Sequence, residues 1–136
     1  MDIDDSGLTF SLEHTPYQAI GGAPVVRHLV DSFYDLMDLL PEYQILRTVH
    51  GASLDEAREK LYQFLSGWLG GPPLYTERHG HPRLRARHLP FRIGEVERDQ
   101  WMSCMNLAMV NVGLDKAMQA WLSAQLFKTA DWMRNQ

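Results

Sequence analysis

The sequence holds a single cysteine, Cys104, so an internal disulfide and a cysteine-rich metal site are both excluded. One lone thiol suits a reducing compartment. No stretch approaches the roughly 20 apolar residues of a membrane span. Excess positive charge is missing too: 13 basic against 17 acidic side chains leave a formal charge of −4, which gives no support to a general nucleic-acid role. The opening residues, Met1-Asp2-Ile3-Asp4-Asp5, are acidic, the reverse of a secretory signal, and a cytoplasmic location is expected. Internal repeats, low-complexity tracts and sustained strand alternation are also lacking.

What remains is ordinary for one soluble globular domain: 136 residues, 45 % apolar and 22 % charged. Residues 1–14 read as a loosely ordered acidic arm, and 15–136 as the domain proper. Thr15-Pro16 has the form of a helix N-cap followed by proline at the first helical position, and Gly21-Gly22 ends that helix within two turns. Pro24 can open the next helix. Its apolar stripe runs through Val26, Leu29, Val30, Phe33, Leu36, Met37 and Leu40 at spacings of three and four, until Pro41 stops it. Residues 41–50 read as a short connection. Ser53 with Glu56 forms a capping-box pattern before a helix through Ala57, Leu61, Phe64, Leu65, Trp68 and Leu69, closed by Gly70-Gly71-Pro72-Pro73.

Residues 72–82 hold three prolines and a glycine, and are expected to be mostly loop. Pro82 to Arg87 allows one or two helical turns before Pro90. Amphipathic helices are expected over 95–112, through Val96, Trp101, Cys104, Met105, Ala108, Met109 and Val112, and over 114–133, through Met118, Trp121, Leu122, Leu126 and Trp132. The fold class is therefore all-α. A long loop inside such a domain is usually functional.

Six histidines offer metal or cofactor chemistry. Three of them, His79, His81 and His88, lie in the irregular segment and could hold zinc or copper, but no cysteine or carboxylate pattern completes the set. A lone histidine near a helix end is more often a surface residue than a ligand. His88, however, follows Arg83-Leu84-Arg85-Ala86-Arg87 and precedes Leu89-Pro90-Phe91. One imidazole against an apolar segment, with cations at its edge, suits a flat cofactor with an anionic rim. Haem fits that description, because it needs an axial ligand, an apolar slot and partners for two propionates. Tyr34 and Trp101 also have a bland reading as core packing. A buried indole N–H nevertheless needs a partner. Met102, Met105, Met109 and Met118 read as core filler and Cys104 as an inert buried thiol.

Several runs in fixed order carry a family resemblance. They are Phe64-Leu-Ser-Gly-Trp-Leu-Gly-Gly-Pro-Pro-Leu-Tyr75, His79-Gly-His-Pro82, Leu84-Arg-Ala-Arg-His-Leu-Pro-Phe91 and Trp101-Met-Ser-Cys-Met105. With Phe33-Tyr34 and the glycine pairs at 21–22 and 70–71, the chain resembles the group II truncated haemoglobins over residues 16–134. The resemblance implies a globin-like two-over-two helical sandwich around haem b, iron protoporphyrin. His88 corresponds to the proximal ligand of a five-coordinate iron. Tyr34 and Trp101 correspond to the polar distal residues. His50 falls at a variable position that can face the ligand, and Ala57 and Leu61 stand where other globins often place a distal His or Gln. Lys60, Tyr75 and Arg87 match positions that hold the propionates, and Phe64 and Phe91 join Trp101 as further haem contacts.

The implied function is binding of oxygen or another small diatomic ligand, in a cytoplasmic monomer or weak homodimer without nucleic-acid or membrane partners. The alternative is a haem enzyme that oxidises nitric oxide with bound oxygen, or a peroxidase, reduced by an external electron donor.

Overall fold

Local signals set most helix ends in the computed structural model, which describes residues 7–136. Thr15 caps α1 (Pro16–Ile20): its hydroxyl accepts from the Gln18 amide at 3.2 Å, and the Gln18 side chain reaches back to the Thr15 amide at 3.2 Å. The expected cap and first-turn proline are therefore both in place. Helix α2 (Ala23–Leu39) follows the glycine pair, and its buried face is the stripe read from the sequence: Val26, Leu29, Val30, Phe33 and Met37. The connection after Pro41 is more ordered than expected, with a 3-10 turn (Pro41–Tyr43) running into α3 (Gln44–Thr48).

Helix α4 (Asp55–Trp68) starts after Leu54, not Ser53. The expected capping box is thus shifted out of register: the Ser53 hydroxyl accepts from the Asp55 amide at 3.2 Å and Glu56 instead pairs with Lys60. The segment read as loop contains a helix, α5 (Leu74–His79), bounded by Pro73 and by Gly80 at φ 74°. Proline before a first turn costs no helical hydrogen bond, so Pro72-Pro73 bounds this helix and does not forbid it. Then come α6 (Leu84–His88), α7 (Glu95–Asn111) and α8 (Lys116–Trp132), the last capped by Asp115. Among the described residues there is no strand, and no helix is long and apolar enough to cross a membrane.

Helices α2 and α4 pack as one pair, α7 and α8 as the other, and α2 crosses α7 between the layers. This is the two-over-two arrangement. The seam is filled by Phe33, Met37, Leu65, Cys104, Met105, Met109 and Leu122. Trp132, expected on the apolar face of α8, is 56 % exposed, because it stands in the helix's last turn beyond that seam. Of the arm, residues 1–6 lie outside the described residues. Beyond them Phe10 sets its ring edge-on to Trp121, with centroids 4.9 Å apart.

Helix α1 docks on the end of α4 through the Tyr17 amide, which donates to the Leu69 carbonyl at 2.8 Å. That approach needs glycine at 71, where a Cβ would lie 2.4 Å from the Tyr17 ring. Gly71→Ala should destabilise the protein by about 1–3 kcal/mol, the usual cost of overpacking. Urea unfolding midpoints of the two proteins check this; equal midpoints would mean that the ring moves aside freely.

Candidate functional site

Arg83, in the left-handed region at φ 47°, turns the chain into α6, which ends on His88. The His88 ring donates from Nδ1 to the Leu84 carbonyl one turn back, at 2.6 Å. That bond places a proton on Nδ1 and leaves Nε2 as the nitrogen that could take a metal. Helix α6 takes no part in the close helix pairings that build the core. Beside His88, Leu89 is 58 % and Phe91 46 % exposed, so apolar surface flanks a free imidazole nitrogen.

A second group of side chains comes from α2, α7 and the end of α3. Phe33 sits at their centre, its ring 4.9 Å from that of Tyr34 and 5.1 Å from that of Trp101. The His50 ring lies edge-on to Tyr34, with centroids 5.8 Å apart. Its Nδ1 donates to the Leu46 carbonyl at 3.1 Å, so in the neutral ring Nε2 is an acceptor. His50 is held below the usual histidine pKa, first by burial and also by the positive charge of Arg47, while the bond to Leu46 opposes this.

Tyr34 is buried, and burial raises its phenol pKa against the opposing pull of Arg58, so the hydroxyl stays a proton donor. Neither this hydroxyl nor the Trp101 indole N–H makes a hydrogen bond with any described residue. Ala57 and Leu61, half-buried on α4, add an apolar wall with no donor.

These groups fit haem by their chemistry: an imidazole with Nε2 free of protein partners, apolar flanks, and two donors unpartnered among the described residues. The family model for bacterial-like globins matches residues 15–135. The chain belongs to this family. Among its relatives it resembles the group 2 truncated hemoglobin YjbI of Bacillus subtilis, 46 % identical over 123 residues that cover 90 % of each chain. Among solved structures, the group II 2-on-2 hemoglobin of Agrobacterium tumefaciens superposes with a TM-score of 0.86 at 43 % identity, over 96 % of this chain and 98 % of that one. The cold-adapted truncated hemoglobin of Pseudoalteromonas haloplanktis TAC125 also reaches 0.86, at 39 % identity, over 90 % of this chain and 98 % of that one. The resemblance to group II truncated haemoglobins therefore holds, and with it haem-based binding of small ligands.

In this globin the expected rim residues are brought together unevenly. Tyr75 is buried on α5, with the Phe64 ring 6.4 Å away and the Arg87 guanidinium 5.9 Å from its own ring. Arg87 also donates to the Pro82 carbonyl at 2.8 Å. Lys60 stands apart from them, paired with Glu56 one turn earlier at 2.7 Å. The three-histidine alternative does not assemble. His79 bonds the Gln63 side chain, His81 accepts from the Arg83 amide, and no group of three or more metal-binding side chains forms among the described residues. Cys104 is fully buried, its thiol pKa pushed up to about 12 by burial and its Sγ donating to the Phe33 carbonyl, which makes it inert.

Two positioning residues were not singled out from the sequence. Arg58 ties α4 to α2: it reaches the Asp31 carbonyl at 3.1 Å, the Asp31 carboxylate at 3.3 Å and the Asp35 carboxylate at 2.5 Å, on either side of Tyr34. The spacing of Asp31 and Asp35 about Tyr34 is the one local signal that could have drawn attention to it. Asn135 fastens the segment after His88, donating to the Phe91 carbonyl at 2.7 Å and accepting from the Ile93 amide at 2.9 Å. No local pattern marks that contact.

Because folding lowers the His50 pKa, the unfolded chain binds the proton more readily, and stability is lost as pH falls below 6.5. The pH dependence of the urea midpoint should therefore flatten in His50→Phe over that window. An unchanged slope would show that other groups carry it.

Proposed function

We propose that this globin holds haem b through His88 as proximal ligand to a five-coordinate iron, and binds oxygen or another small diatomic ligand beside Tyr34 and Trp101. The observation that supports it most is the pair of donors, the Tyr34 hydroxyl and the Trp101 N–H, that have no hydrogen-bond partner among the described residues; neither is a buried atom sealed in the core, so both are open to a polar ligand. Haem supplies the iron that takes an imidazole on one face and a diatomic ligand on the other.

His50 has a different task in this reading. Its Nδ1 proton is committed to Leu46, so in the neutral ring Nε2 has no proton for the ligand, and the imidazole supports the Tyr34 ring by packing edge-on against it. Ala57 and Leu61 keep water from that side. At the rim Arg87 and Lys60 neutralise the propionates and Tyr75 donates a hydrogen bond, while Phe64 and Phe91 cover the ring. Lys60 leaves Glu56 to do so. Their exposed pair is screened by water, and a charge-assisted bond to a propionate contributes about 1.5–3 kcal/mol.

Two measurements test this reading. His88→Ala should lose most of its haem and regain it when imidazole is added, read from the absorption spectrum. Normal haem content without imidazole would remove His88 from the iron. Tyr34→Phe and Trp101→Phe should each release oxygen faster by a factor of about 5 to 150, the equivalent of roughly 1–3 kcal/mol. Carbon monoxide, less polar when bound, should respond less. The double variant should not show the product of the two effects, because neighbouring donors share one ligand. If oxygen leaves all three variants at the wild-type rate, the two aromatics are core packing only.

A further inference from the structure

The arginines fall into two sets that do not mix along the chain. Arg27, Arg47, Arg58, Arg98 and Arg134 are all in ion pairs with carboxylates. Arg78, Arg83, Arg85, Arg87 and Arg92 pair with no carboxylate among the described residues, and all five are exposed. The segment 78–94 that carries them has no aspartate or glutamate. The rest of the chain thus holds eight basic side chains against all 17 acids, a balance of −9 within a net charge of −4. These cations make no ion pair with a described carboxylate, so the segment carries a surplus of positive charge, even with Arg78 within electrostatic reach of Glu59 and Arg87 given to a propionate. Such a field raises the encounter rate with an acidic partner.

The same face has an apolar centre. Arg83 and Arg85 edge an open groove of about 660 Å³ whose floor includes Trp68, Leu84 and the exposed Trp132. An apolar floor with a charged rim, rich in Trp and Arg, is the make-up of a protein–protein contact. The charge extends past the groove to Arg78 on α5, which favours a surface partner over a single small anion. Arg85 and His88 also share helix α6, so a partner seated there lies at the haem edge.

We propose that the arginine face of α5 and α6 docks an acidic electron-donor protein, which reduces the haem held by His88. This rests on the haem reading above. With a flavin donor, one electron passes from the anionic hydroquinone to the ferric haem, leaving a neutral semiquinone and ferrous iron. No bond breaks and no proton moves.

The test uses the haem-loaded protein and an acidic flavodoxin as probe. Titration calorimetry with oxidised flavodoxin should show binding at low ionic strength that weakens as salt is added. Reduction by flavodoxin hydroquinone, followed by stopped flow, should slow about tenfold or more in the triple variant Arg78→Glu, Arg83→Glu, Arg85→Glu. The same three positions changed to lysine should keep most of the rate. Reduction by photogenerated deazariboflavin radical, small and uncharged, should be equal in all three proteins, which shows that the haem itself is unaltered. Equal flavodoxin rates in wild type and the glutamate variant, or rates indifferent to salt, would overturn the proposal. So would tighter binding to anionic phospholipid vesicles or to transfer RNA, or self-association of the wild type that the glutamate variant abolishes. A wild-type chain that takes up no haem would be evident in the spectrum before any donor is added, and would overturn the haem reading first.

Discussion

Phe33 is the contact on which the rest of the site depends. It is fully buried where α2 crosses α7, with the rings of Tyr34 and Trp101 packed on it and its carbonyl accepting from Cys104 at 3.2 Å. Asn111 donates to Ser32 along the same seam at 2.8 Å, and Tyr43 with Ser103 at 2.9 Å ties the 3-10 turn after α2 to α7. Burying a phenylalanine side chain contributes about 1.5–3 kcal/mol. Here that apolar burial also sets where two polar donors stand. Core and site are thus one packing problem: a shift of the α2–α7 crossing would move Tyr34 and Trp101 relative to each other.

Electrostatics then tunes what packing has placed. Arg58 spans α4 and α2 with three contacts around Tyr34, and its charge partly offsets the effect of burial on that phenol. On the opposite side the imidazole of His88 is oriented by a backbone carbonyl from its own helix, with no carboxylate involved. A carbonyl partner fixes the proton on Nδ1 and so points Nε2 away from the helix. The segment beyond it is tied down by Asn135 from the far end of the chain, so the last residues take part in shaping the site.

Much of the fold was legible where local chemistry acts alone. Thr15-Pro16, Gly21-Gly22 and the stripe of α2 behaved as their residue types require. The reading failed where a local signal had two meanings. Pro72-Pro73 looked like the end of structure but stands before the first turn of α5, where a missing N–H costs nothing. Ser53 and Glu56 have capping-box spacing, yet the helix starts after Leu54 and Glu56 is drawn to Lys60. Trp132 matched an apolar period that the packing does not use at the end of α8.

By itself the sequence determined the helices, the apolar faces and a histidine set between arginines and an apolar turn, because these follow from neighbours within a few residues. The family resemblance added the roles to be tested. Only the tertiary structure decided that Tyr34 and Trp101 lack hydrogen-bond partners among the described residues, that the His50 ring packs edge-on to Tyr34, and that five arginines find no carboxylate among those residues while five others do. The physical reason is distance along the chain. The Asn111–Ser32 bond joins residues 79 apart and the Cys104–Phe33 bond residues 71 apart, and no local period encodes which of two distant side chains will meet.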